Sequence, residues 1–417
     1  MSKNKTIPAL LLSFLAITGK AQTLSIDSIL DSIATAHPSV KMYDAEISSM
    51  DAAAKGARSW MPPEAGAGLF MAPYNPKLMR KDGDMKGMGS FMLSGQQMFP
   101  NKKKLDADEA YMTQMSSVEK ENKKATLNEL YSQAKQSYYE WILLKKKIGV
   151  LDENRKLLDF MIKNAEIRYK NGMEKMSAYY KARAALGNLE NMQLMLENEI
   201  ANKRIRINSL MNRPTSIPFD IDTTYTVRDY HPGDWDTTKL SQSRSDLKAI
   251  DQEISLVYLK QETEKQSLKP QFGIKYDHMF GFGGQPLQYS LMGMIKIPMA
   301  RWSAKMAKAN VESLHYKAQA LASQKQMMLN EMTGMAYNMY SEISLKKNQL
   351  RLYETNIIPA LRNNYRTMQL GYEQNTEELF MLFDAWESLN MTQLDYLDKL
   401  QELLMLQVDL EKILEIK

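Results

Sequence analysis

Gln271-Phe272-Gly273-Ile274-Lys275-Tyr276-Asp277-His278-Met279-Phe280, a Gly281-Phe282-Gly283-Gly284-Gln285-Pro286 connection, and Gln288-Tyr289-Ser290-Leu291-Met292-Gly293-Met294-Ile295-Lys296-Ile297 together decide the fold. Pro270 and Pro298 bound the stretch. Phe272, Ile274, Tyr276 and Phe280 share one parity, whereas Gln271, Lys275 and Asp277 share the other. In the second segment Tyr289, Leu291, Ile295 and Ile297 alternate with Gln288, Ser290 and Lys296. A period of two predicts strands with one apolar and one polar face. Such segments suit a membrane barrel with a wet lumen. They equally suit a half-buried soluble sheet.

Moving toward the N-terminus, the same plan is met again. Ser39-Val40-Lys41-Met42-Tyr43-Asp44-Ala45-Glu46-Ile47 matches Asp246-Leu247-Lys248-Ala249-Ile250-Asp251-Gln252-Glu253-Ile254 without a gap, and the same offset carries Pro63 onto Pro270. Strands are expected over 64–72 and 88–99, joined by a polar loop and closed by Pro100. The expected order is helix, strand pair, long helix, turn, helix, written twice, which reads as an internal duplication. Four strands cannot close alone in lipid, where every edge must be paired. With about eight strands as the practical minimum for a closed barrel, several copies would have to share one wall. Two copies or three would both serve.

Outside the strands the chain predicts long helices. Residues 101–170 contain no proline after Pro100 and one glycine, Gly149. Asn171-Gly172 supplies a helix stop, and a partner helix is expected over 177–212. Helices over 300–370 and 376–414 complete the second half, with Gly334 and Pro359 as interruptions on paper. At about 1.5 Å per residue the longest would reach roughly 100 Å, too long to bury its apolar positions inside a compact domain. Heptad-like spacing, as in Met328, Met332, Met335 and Met339, points to lengthwise packing against other helices. The domain reading is therefore 1–21 signal peptide, 22–212 first repeat, 213–242 irregular linker and 243–417 second repeat.

Composition narrows the function classes. Lys3 and Lys5, an apolar run from Ile7 to Ile17 and Gly19-Lys20-Ala21 form a secretory signal pattern, with cleavage expected after Ala21. No later stretch offers 18 consecutive apolar residues, so no helical span is expected. The chain has no cysteine, which excludes disulfides, thiolate metal sites, a thiol nucleophile and a lipobox anchor. Net charge is +5 with both signs intermixed, so no nucleic-acid footprint stands out. His37, His231, His278 and His315 lie at no metal-ligand spacing, and Gly281-Phe282-Gly283-Gly284 joins two strands, unlike a phosphate loop. No catalytic constellation and no cofactor site is expected. Asn101-Lys102-Lys103-Lys104 would lie just below a barrel, where a solvated helix start or a contact with lipid phosphates could be its role.

The whole pattern resembles the TolC family of outer-membrane efflux proteins, including its heavy-metal branch. The resemblance is carried by the duplicated helix-strand pairs, by Gln96-Gln97-Met98-Phe99-Pro100, and by the segments Arg168-Tyr169-Lys170-Asn171-Gly172 and Gly371-Tyr372-Glu373-Gln374-Asn375. The family usually has glycine where Asn375 stands. The resemblance implies a mainly α protein with a membrane β-barrel: a homotrimer, four strands per chain in a twelve-stranded outer-membrane barrel, and a long periplasmic α-barrel. Arg168, Tyr169, Asn171, Gly172, Gly371, Tyr372 and Asn375 would form the periplasmic tip that docks with an adaptor protein, itself linked to an inner-membrane RND-type pump. Asp384 would contribute to a carboxylate ring at the entrance, with Glu377 and Tyr372 in the gate. The family's usual second acid is Met381 here, and its arginine and aspartate links fall on Glu377 and Ala178, so a closed-state lock must be built differently.

Methionine is abundant, at 32 residues. By parity Met88, Met92, Met98, Met279, Met292 and Met294 would face a lumen. Thioethers favour copper(I) and silver(I), but methionine is also an adaptable filler. The reading is an exit duct for an efflux system. An exit duct for type I protein secretion and a periplasmic coiled-coil scaffold are the alternatives.

Overall fold

The computed structural model describes residues 23–173 and 175–417; the signal-peptide expectation lies outside them. In chain order the elements are β1 (Thr23–Leu24), α1 (Ile26–Ala36), α2 (Pro38–Ala54), β2 (Glu64–Phe70), β3 (Ser90–Phe99), α3 (Lys102–Lys170), α4 (Met176–Leu210), β4 (Asp220–Ile221), α5 (Thr237–Ser243), α6 (Ser245–Ser267), β5 (Gln271–Gly281), β6 (Gln288–Lys296), α7 (Lys305–Leu352), α8 (Ile358–Glu373) and α9 (Leu379–Leu414). No described helix is long and apolar enough to cross a membrane.

Two compact units interleave along the chain. The first takes the described residues up to His37, Tyr131–Arg228 and Ile343–Val408. Its core joins α3, α4, α8 and α9 through Leu151, Leu158, Leu189, Tyr365, Tyr372, Leu382 and Trp386, among others. The second takes Pro38–Leu130, Asp229–Glu342 and Asp409–Lys417. It holds the four-stranded antiparallel sheet β2-β3-β5-β6. It also holds a smaller core in which Ile250 and Val257 of α6 meet Ala318 and Leu321 of α7. Each unit thus draws on both halves of the sequence. In the linker, β4 pairs in parallel with β1, so this stretch is more ordered than its prolines suggest.

The long helices bury their seams by heptads. Leu130, Ser137, Leu144, Leu151, Leu158 and Ala165 of α3 are all buried and lie seven residues apart. A strict seven-residue repeat is the signature of helices wound lengthwise around neighbours. On α7 the buried line is Leu329, Ala336, Ile343 and Leu350, again at steps of seven. This corrects the methionine seam: Met328, Met332 and Met339 are half-buried flanks, and Met335 is exposed. Flexible thioethers fill the margins, while the axis takes the residues of defined shape.

The helix expected over 300–370 is divided at one of the two places named. Gly334 leaves α7 unbroken. Pro359 does not: a π turn over Tyr353–Ile357 precedes α8. Proline lacks the N–H needed for the α ladder, and a wider turn accommodates the missing bond. Two tyrosine hydroxyls hold the turn to α9. Tyr396 donates to Glu354 Oε1 at 2.6 Å, and Tyr353 donates to Asp395.

Candidate functional site

The first unit brings the two sequence-predicted turns together. After α3, Gly172 adopts φ +72°, and Met173 N–H donates to Arg168 C=O at 2.9 Å. After α8, Asn375 adopts φ +61°, and Thr376 N–H donates to Gly371 C=O at 2.9 Å. Both turns therefore close by the same six-to-one bond, with a left-handed residue just past the helix end. Asparagine tolerates that backbone better than other residues with a Cβ. Asn375→Gly should accordingly leave the melting temperature unchanged or slightly raised. Asn375→Val should cost about 1–2 kcal/mol per chain, because a branched side chain resists left-handed backbone. Thermal unfolding of the two variants checks this.

Arg168, Gly172, Asn375 and Glu377 line one groove between these turns, together with Met173, Lys175, Thr376 and Glu378. Arg168 spans it. Its Nη2 donates to the Tyr372 carbonyl, and its guanidinium carbon sits 4.0 Å from the centre of the Tyr372 ring. Tyr372 itself is 1% exposed. Glu377 packs over Gly371: a Cβ there would lie 2.6 Å from Glu377 Cγ, so glycine makes room for the acid. Tyr169 and Asn171 are exposed, and Asn171 Nδ2 caps the Ile167 carbonyl at 3.0 Å. Lys170 lies 2.7 Å from Glu166. The hydrogen bond and charge of Lys170 lower the Glu166 pKa.

Asp384 occupies the exposed face of α9, while Phe383, Ala385 and Trp386 face the core. Met381 is exposed on the same helix, and Ala178 packs against the core instead of pairing with a charge. Two features of this region were missed at the sequence level. One is the Arg168–Tyr372 contact. The other is Lys181, whose Nζ lies 4.1 Å from the centre of the Phe380 ring and 4.3 Å from that of Phe383. Below them Tyr365 is buried, which pushes its pKa up to about 12, with the charge of Glu373 adding to the effect.

In the second unit, the sheet register fixes which residues share a face. Met92 pairs with Met279, Met98 with Gly273, Gly273 with Met294, and Lys275 with Met292. Cross-strand partners point to the same side. Met92, Met98, Met279, Met292 and Met294 therefore share a face with Ser94, Gln96, Lys275, Asp277 and Ser290. The Met98 sulfur fills the space over Gly273: a Cβ there would lie 2.3 Å from it and 3.3 Å from Met294 Cε. Met88 is the exception. The strand starts only at Ser90, because Gly89 turns at φ +83°, and Met88 belongs to the loop, where its N–H donates to the Leu78 carbonyl at 2.7 Å.

The opposite face carries Leu69, Phe91, Leu93, Phe272, Ile274, Tyr276, Phe280, Tyr289, Leu291 and Ile295, all exposed in the single chain. Stacked Tyr276 and Tyr289, 6.3 Å apart, and His278 against Phe280 at 4.5 Å belong to it. Phe70, paired with Ser90, lies on the polar face at the strand end, and Tyr74 sits in the loop. No group of three or more histidine, aspartate or glutamate side chains among the described residues is placed to hold a metal ion.

No protein-family model matches the chain, and no curated protein does. Solved structures do. CusC, described for its folding and transmembrane channel formation, superposes with a TM-score of 0.74 at 13% identity, over 99% of both chains. The outer membrane protein VceC of Vibrio cholerae gives 0.73 at 15% identity, over 93% of this chain and 95% of that one. The CmeC outer membrane channel of Campylobacter jejuni gives 0.71 at 12%, over 99% and 94%. The fold is therefore that of TolC-type outer-membrane channels along nearly the whole chain.

Proposed function

We propose that this chain is one protomer of an outer-membrane exit duct, a passive channel that conducts what an inner-membrane pump delivers. The carrying observation is the four-stranded sheet, which has one apolar face, one polar face and two unpaired edges among the described residues. In water such a face is a liability. In lipid, with copies joined edge to edge, it is a wall. The strands alternate in direction, so β6 of one copy meets β2 of the next antiparallel. The closed barrel is a homotrimer of twelve strands, in line with the family resemblance, and the two halves of each chain descend from one duplicated unit. The Arg168 and Asn375 turns are the docking surface for a periplasmic adaptor, which links the duct to an RND-type pump. The test is outer-membrane fractionation combined with heat-modifiable migration and mass measurement in detergent. A detergent-independent soluble monomer would overturn the assignment.

The entrance carries Asp384 as a ring of symmetry-related carboxylates, which concentrates cations. Asp384→Ala should lower cation selectivity and weaken block by divalent ions in planar bilayers. The variant should leave the unfolding free energy within about 0.5 kcal/mol of the wild type, as for other exposed positions. Unchanged selectivity would remove Asp384 from the gate. The five lumen-facing methionines offer soft donors to copper(I) or silver(I). Replacing them together by leucine should reduce copper tolerance if metal is the cargo, and leave it untouched if they only pack.

A further inference from the structure

At one end of the sheet, strands give way to helices at two junctions, and both carry unneutralised positive charge. Phe99 pairs with Phe272, and Lys296 pairs with Gln271. The β3-to-α3 and β6-to-α7 junctions therefore emerge at the same sheet end. They are separated by β5 alone, so they lie about 10 Å apart at two strand spacings. The first junction presents Lys102 and Lys103, and the second Arg301 and Lys305, all exposed.

Nearby acids are already engaged. Arg58 pairs with Asp106 at 2.9 Å and with Glu109 at 2.7 Å, and Lys104 pairs with Asp108 at 2.5 Å. Among the described residues, none of Lys102, Lys103, Arg301 and Lys305 makes an ion pair. Neither α3 nor α7 has an acid in its first turn. Cations there oppose the helix dipole, and among the described residues no ion-pair partner offsets the cost. Two tryptophans flank the cations. Trp302 is 86% exposed. Trp60 is also exposed and stacks edge-on against Phe99 at 5.6 Å. Indole rings beside lysine and arginine favour the boundary between hydrocarbon and headgroups.

We propose that these junctions form a binding site for anionic phospholipid headgroups in the leaflet nearest the helices. Lys102, Lys103, Arg301 and Lys305 take the phosphates, and Trp60 and Trp302 seat beside the glycerol backbones. The site rests on the exit-duct reading, which places this sheet end at a membrane surface. It goes beyond that reading by naming the headgroup charge and the residues. Basic clusters at a membrane surface gain affinity with each added cation, and salt screens the gain.

The test is native mass spectrometry of the full-length assembly offered equal amounts of phosphatidylglycerol and phosphatidylcholine. The wild type should retain about tenfold more phosphatidylglycerol, a preference that several surface cations together can supply. The variant Lys102→Gln/Lys103→Gln/Arg301→Gln/Lys305→Gln should lose that preference. The matched variant Lys156→Gln/Lys163→Gln/Arg362→Gln/Arg366→Gln, on exposed helix positions, should keep it. If the fourfold variant fails to assemble, Lys102→Gln/Lys103→Gln alone should show an intermediate preference. Equal uptake of the two lipids by an assembled wild-type barrel overturns this site and leaves the duct standing. Retention of the preference in the junction variants overturns it equally. A chain that never enters a membrane overturns both readings.

Discussion

Leu291→Arg should abolish assembly of the membrane form. Leu291 lies mid-strand in β6, opposite Tyr276, and is 67% exposed on the apolar face. An arginine at the midplane of a membrane barrel costs about 2–4 kcal/mol. A trimer would carry three, so the wall would lose roughly 6–12 kcal/mol, comparable with the whole stability of a typical domain. The expected result is loss of the heat-modifiable species and loss of the protein from the outer-membrane fraction. Ser290→Arg is the matching control. Ser290 is the next residue, on the polar face, paired with Asp277. An arginine there meets water and a carboxylate, and assembly should survive. Equal damage from both substitutions would mean that the two faces are not solvated differently.

The second large effect is expected at the tip. Arg168→Ala removes a charge-assisted hydrogen bond and a cation–π contact to Tyr372 in one step. The first is worth about 1.5–3 kcal/mol. The second is worth about 0.5–2 kcal/mol, toward the upper end because the Tyr372 ring is desolvated. Together they hold α3 to α8 by roughly 2–5 kcal/mol per chain. Without them the tip should open more often, and single-channel conductance should rise several-fold while the protein still assembles. Arg168→Lys keeps the charge but loses the planar fork, so it should fall between the two. Wild-type conductance in Arg168→Ala would show that this contact does not bias the gate.

The sheet was legible because its signal is local. A period of two over ten residues states both the strand and its faces, and five of the six methionines assigned by parity lie on the polar face. Met88 was misplaced because parity cannot show where a strand begins, and Gly89 decides that through a left-handed turn. The long runs of α3, α4 and α9 were legible from the absence of breakers, whereas the stretch expected as one helix over 300–370 is divided by the π turn before Pro359. The seam of α7 was not legible, since methionine and the heptad Leu329, Ala336, Ile343 and Leu350 compete as apolar signals. The Arg168–Tyr372 contact joins residues 204 apart, and no spacing rule reports such a meeting. Asn375 was the opposite case: the departure from glycine was visible, and the left-handed backbone explains why asparagine serves.

Among the described residues both borders of the β2-β3-β5-β6 sheet are bare, which has a consequence for a single copy of the chain. A solitary newly made copy offers both raw backbone and a greasy surface to any neighbour, including the wrong one. If the chain is an exit duct, such a polypeptide would need an escort through the aqueous space it crosses, and its final concentration in the membrane would depend on how quickly it is handed over.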